Sequence, residues 1–228
     1  MRGEPAAITV INRTREPVSV HWHGIELDSY FDGVGDWSGI GKRLAPAIAP
    51  GDSFVARMTP PRAGTFMYHT HAHEIAQMGG GLYGPLLVLE PGYQRDTTVD
   101  RVIMLSTSGP LAQSPPNVNG DTTGAPLELR KGLTYRLRFL AIAPHDTKVI
   151  RLLADTALQR WRAVAKDGAT LPPHQAVVRG ARLVMGTGEA WDVEFTPSDG
   201  RPLTLEILTL GRGGLSPVRS RIPVYVRH

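Results

Sequence analysis

Glycine and proline together make up about 19% of this 228-residue chain, 25 and 19 residues respectively, against a usual share of about 12%. Glycine takes up backbone angles that other residues avoid, and proline removes a backbone donor. A chain so rich in both is cut into short segments by turns. Long helices are excluded, and an all-β architecture of short strands is expected. The hydrophobic share of 41% suffices for a packed core and excludes wholesale disorder. No apolar run reaches the ~18–20 residues that span a bilayer, so no membrane role is expected. Twenty-five basic residues nearly balance twenty-one acidic ones, for a net charge of +4. That balance does not suit a nucleic-acid partner.

The strand pattern can be followed along the chain. Ala7–Ile11 and Val18–His23 are β-rich runs separated by a polar turn. Ser53–Met58 follows a Pro-Gly-Asp turn, Gly64–His71 is entered through Pro60-Pro61, and Leu86–Leu89 closes the unit. Tyr93–Asp100 is polar and reads as a linker. The pattern restarts at Val102–Leu105 and a loop is expected over Ser114–Gly120. Tyr135–Leu140 alternates apolar and basic residues, as a half-solvated strand does. Trp161–Ala165, Ala176–Val178, Trp191–Phe195 and Leu203–Ile207 continue the series. Short helical turns are admitted at His73–Gln77 and Thr147–Leu153. About 150 residues per domain allows one or two domains, and the pattern gives two β-sandwiches, residues 1–94 and 95–228.

Cysteine is absent. Disulfides, thiol catalysis, zinc ribbons, iron–sulfur clusters and every thiolate-ligated metal are thereby excluded. Five of the eight histidines lie in two clusters, His21-Trp22-His23-Gly24 and His69-Thr70-His71-Ala72-His73-Glu74. Residues i and i+2 of a strand project from one face. His21 and His23 therefore share a face, as do Met67, His69 and His71. His73 joins them only if the strand persists past Ala72. Paired imidazoles on neighbouring strands chelate a metal without backbone distortion. An all-nitrogen set argues against calcium and magnesium and leaves copper and zinc open. A single His-x-His pair is also compatible with no metal role, and His145, His174 and His228 read as loop or terminal residues.

His21-Trp22-His23-Gly24, Asp32-Gly33-Val34, Ile48–Phe54, Gly64–His71 and Gly81–Val88 stand in the order and at the spacing of the first cupredoxin domain of the multicopper oxidases, which this half resembles. Asn117–Gly120, Gly132–Phe139, Lys166–Pro173 and Gly188–Val193 are similar to that family's second cupredoxin domain. The resemblance implies two cupredoxin-like Greek-key β-sandwiches and copper as cofactor. It implies a trinuclear copper site where O2 is reduced to water, held by eight histidines, four of them from one domain. Carried over, His21 would bind the type 2 copper, and His23, His69 and His71 the type 3 pair. His73 is an extra histidine: a solvated loop residue, a donor behind the ligands or an added ligand. Asp32 matches the acidic residue that helps deliver protons. Asp28 and Asp36 read as loop residues.

Two parts of the family pattern are missing. There is no His-Cys-His segment for a type 1 copper, and no second set of four clustered histidines. The favoured expectation is therefore half of a laccase-like oxidase. A further cupredoxin domain, in cis or in trans, would complete the site and pass on electrons from a small reducing substrate. The alternatives are a stand-alone copper-binding module with little oxidase activity, with self-association bringing sites together in a homo-oligomer, and a structural pair with vestigial histidines. Met1–Pro5 runs straight into strand-like sequence, without a signal peptide, as a segment trimmed from a longer polypeptide would. By resemblance, the compartment is periplasmic or extracellular.

Overall fold

The computed structural model describes residues 1–109, 115–143, 146–211 and 217–228. Short strands dominate, and the one α-helix among the described residues is Glu74–Gly79. In the first half, Ala6–Ile11 pairs antiparallel with Ser53–Met58. A second sheet sets Gly64–Thr70 between Val20–His23 and Tyr83–Val88. Val20, Trp22, Ile25, Ala56, Met58, Phe66 and Val88 close the core between them. Val20 and Trp22 are buried while His21 and His23 stand half-exposed on the other face. This is the period-2 division expected of a strand with one apolar face.

The second half is a sandwich of two larger sheets. One places Tyr135–Ala141 between Ala190–Phe195 and Asp100–Thr107, the latter pairing being parallel. The other runs through Val218–Arg227, Leu203–Gly211 and Asp146–Ala154. Ile222, Val224 and Val226 turn inward onto Phe139, Trp161, Leu205 and Ile207, while Arg221, Tyr225 and Arg227 face out.

Three local expectations are corrected. Thr147–Leu153 is not helical; it lies inside the strand Asp146–Ala154, hydrogen-bonded on both sides. Pro116–Val118, expected within a loop, forms a short strand against Leu105–Thr107, while Ser114 lies outside the described residues. Tyr135–Leu140 is not half-solvated, because Arg138 is 3% exposed. Its guanidinium is met by Asp100 at 2.6 Å and by Asp192 at 2.9 Å, and a paired, fully hydrogen-bonded charge is the kind that burial tolerates.

The halves meet along the strand that carries the second histidine cluster. Arg138 Nη1 donates to the Thr65 hydroxyl at 2.7 Å, and Thr65 donates to Asp192 at 3.0 Å. Met67 and Met78 pack with Met104, Leu140, Ile142 and Ala190 of the second half.

Candidate metal centre

Register brings the two histidine pairs together. Across the antiparallel ladder His21 stands opposite His69, and His23 opposite Met67. Directly opposed residues project to the same face, so the pairs interleave. The strand ends at Thr70, but the His71 backbone still donates to the Ser19 carbonyl at 2.8 Å and keeps His71 beside the group. The His21 ring lies 5.5, 5.3 and 5.7 Å from the rings of His23, His69 and His71. Ligand nitrogens of His21, His23 and His69 lie within 4.8 Å of one another. That is close to the ~4 Å that two nitrogens on one ion can span at usual bond lengths. His71 is outside that closest set.

Each ring has a defined orientation. His69 Nδ1 donates to the Thr70 carbonyl at 2.7 Å, which leaves Nε2 facing the group. His21 Nδ1 meets Asp32 twice, at the backbone carbonyl (3.1 Å) and at the carboxylate (3.2 Å). His71 Nδ1 lies 3.0 Å from the Glu74 carboxylate. Fixing one imidazole nitrogen sets the tautomer and commits the other to a ligand. His23 is reversed: its Nδ1 faces His69 Nε2 at 3.3 Å.

Electrostatics favour neutral ligands at the middle of the group. Burial drives His69 down to about 4, against the pull of the Thr70 carbonyl, and the adjoining imidazoles push the same way. Burial also lowers His23, helped by His21. At His21 burial acts downward too, but the hydrogen bond and charge of Asp32 outweigh it and the pKa rises.

The loop from Asp28 is pressed onto the first histidine strand at Gly33. A Cβ there would lie 1.8 Å from the Val20 carbonyl, and its φ is +78°. Only glycine meets both conditions, and this contact places Asp32 against His21. Asp28 caps the turn Ser29–Phe31, and exposed Asp36 lies in the left-handed region.

His73 does not share the ligand face. The chain has left the strand, and His73 is an exposed residue at φ 47° that opens the short helix Glu74–Gly79, where the helical turn was expected. His174 is exposed beside Gln175, His228 is exposed at the last position, and His145 lies outside the described residues. Three contributors escaped sequence reasoning. The Thr70 carbonyl carries no side-chain signal. Glu74 carried one, its i+3 spacing from His71 at a helix start. Gly188 borders His23 from 165 positions away, which local sequence does not reveal.

The chain is similar to known proteins over both halves. A family model described as multicopper oxidase matches residues 1–92. The multicopper oxidase MmcO of Mycobacterium tuberculosis is 33% identical over 123 residues, 53% of this chain and 22% of that protein. A laccase of Neurospora crassa is 28% identical over 217 residues, 84% of this chain and 33% of that protein. This chain thus spans a third or less of either relative. The crystal structure of a blue copper oxidase from Nitrosomonas europaea superimposes with a TM-score of 0.76, covering 99% of this chain and 74% of that one. At 22% identity that likeness carries the fold.

Proposed function

Because this chain belongs to the multicopper oxidase family, we propose that its paired imidazoles supply half of a trinuclear copper site at which O2 is reduced to water. The observation that carries this reading is the convergence of three imidazole ligand nitrogens within 4.8 Å, with His71 alongside. The donor set fits copper: all nitrogen, borderline in softness, with His23 and His69 held neutral by burial. His21 is the ligand of the type 2 copper, and His23, His69 and His71 serve the type 3 pair. His73 takes no place among them. When bound, copper supplies the one-electron redox chemistry.

The chain's own residues orient and protonate. The Thr70 carbonyl, Asp32 and Glu74 fix three of the rings. Asp32, half-exposed and against His21 Nδ1, relays protons from solvent toward the site through its carboxylate. The chain is read as two cupredoxin-like units, 1–94 carrying the ligands and 95–228 carrying none. A further cupredoxin domain, in cis or in trans, supplies the remaining ligands and the type 1 copper through which a small reducing substrate delivers electrons. A thiolate is needed for that centre, and this chain has no cysteine. The complete oxidase works in the periplasm or outside the cell; among the described residues no helix is long and apolar enough to cross a membrane.

The test is metal content with paramagnetic spectra. After exposure to Cu(II) and desalting, the chain should retain copper without an intense blue band. His21→Ala or His69→Ala should remove most of it, and His174→Ala should not. Equal retention in all three overturns the ligand assignment. Substantial turnover of a phenolic dye by the chain alone overturns the view that electrons enter elsewhere.

A further inference from the structure

We infer that the second half, which contributes no ligand, positions one: the Thr187–Glu189 turn fixes the ring of His23, and Gly188 is the residue on which that depends. The inference rests on the reading of His23 as a copper ligand. A Cβ at Gly188 would lie 2.8 Å from His23 Cε1 and 2.9 Å from Nε2, but 3.8 Å from Nδ1. The turn therefore lies against the Cε1–Nε2 edge at the tip of the imidazole, next to the Nδ1 that faces His69. The ring is held between that edge contact and the 3.3 Å approach of His23 Nδ1 to His69 Nε2. Rotation about the Cβ–Cγ bond exchanges Nδ1 for a carbon, so whatever fixes the ring decides whether a nitrogen faces the group at all.

The turn is rigid enough for this. Gly188 donates its N–H to the Ala141 carbonyl at 2.7 Å, and Ala141 donates back to the Glu189 carbonyl at 3.0 Å. The Thr187 hydroxyl donates to the Ala143 carbonyl at 2.6 Å. The Glu189 carboxylate accepts from the Gly186 N–H at 3.1 Å and from Lys166 Nζ at 2.9 Å. Every tie runs to the second half, so the turn reaches His23 as a fixed wall. The junction is not filled solid: a cavity of about 310 Å³ opens there, lined by His23, Thr65, Met67, Asp167, Gly188 and Glu189. Without the turn the ring has room to rotate into that space.

Gly188→Ala tests this against Gly132→Ala. Both glycines have positive φ, +85° and +78°, but a Cβ at Gly132 meets nothing within 4 Å. The two variants thus share the backbone strain, and only one adds the contact. In the metal-free, ¹⁵N-histidine-labelled chain, Gly188→Ala should move the His23 ring nitrogen resonances and leave those of His69 nearly in place. Competition titration with Cu(II) should show affinity weakened about 10–100-fold, as when other residues that orient a ligand are lost. Gly132→Ala should change neither. Unmoved His23 resonances, or an equal loss of affinity in Gly132→Ala, overturn the inference. Should Gly188→Ala not fold, the wild-type chain decides: a proton–proton contact between Gly188 Hα and His23 Hε1 is expected, and its absence is equally fatal. These ring signals are read without metal. Failure of the wild-type chain to bind copper would overturn the copper reading alone.

Discussion

In the proposed site Asp32 has two separable duties, to orient His21 and to relay protons. Its backbone carbonyl and its carboxylate both reach His21 Nδ1, at 3.1 and 3.2 Å. Asp32→Asn keeps the carbonyl and an amide oxygen, so the ring stays oriented and copper content should remain within about twofold of the wild type. Proton transfer needs the ionisable group, and a positioned acid or base is worth on the order of 10²-fold or more. Turnover of the complete, reassembled oxidase should fall by about that factor. Loss of copper in Asp32→Asn would show that the carboxylate is needed to hold the ring. The convergence of the histidine rings was legible, because His-x-His in a strand places both rings on one face whatever the rest of the fold does. The groups that orient them were not. A main-chain carbonyl at Thr70 or a glycine at 188 is chosen by three-dimensional proximity and leaves no periodic trace.

Among the strands, the misreadings have physical causes. Val149, Ile150, Leu152 and Leu153 fit a helical stripe as well as a strand buried on both faces, and all four are buried because the strand is covered on both sides. The Tyr135–Leu140 alternation predicts basic residues in solvent, and Arg138 escapes that rule through partners 38 and 54 positions away. The Arg138 cluster carries a stability prediction. Arg138→Leu leaves Asp100 with Arg95 and Asp192 with Arg136 as their remaining cations, and removing one partner of a buried pair costs up to about 3–5 kcal/mol, readable by urea denaturation. A rise in stability would mean that desolvation had cost more than the pairs return. The pH dependence follows from Asp100. Burial alone would push its carboxyl up, but Arg138 and Arg95 outweigh this and hold it below the usual range. A depressed folded pKa stabilises the fold fully above about pH 4, where the unfolded carboxyl is ionised. The contribution is lost as pH falls through the lower folded value. Thermal midpoints should drop with acid below pH 4, and Asp100→Asn should flatten that drop. An unchanged slope would assign acid sensitivity to other carboxyls, such as Glu206, also held low by Arg151 against the upward push of burial.

At the scale of the molecule, the histidine group and its support come from different halves. The four rings stand in residues 21–71, while Gly188 backs His23 and the Arg138–Asp192 pair grips Thr65, four residues before His69. A ligand that binds only the folded state stabilises whatever must be folded to hold it, by about 2.7 kcal/mol at a hundredfold excess over Kd. If the metal needed only the first half, that gain would stay there, since local opening is governed by local contacts. The junction predicts otherwise. On addition of Cu(II), amide exchange should slow in Val20–His23 and Gly64–Thr70, and also in Tyr135–Ala141 and Ala190–Phe195, the strands that flank the Gly188 turn and carry Arg138 and Asp192. His21→Ala should abolish both responses together. Thr65→Val, which removes the hydroxyl bridging Arg138 and Asp192, should weaken the second response while the first persists. Protection confined to the first half would make the second a passive neighbour. The histidine group could then keep its metal without it, and the close approach of the Gly188 turn to His23 would have no bearing on the site.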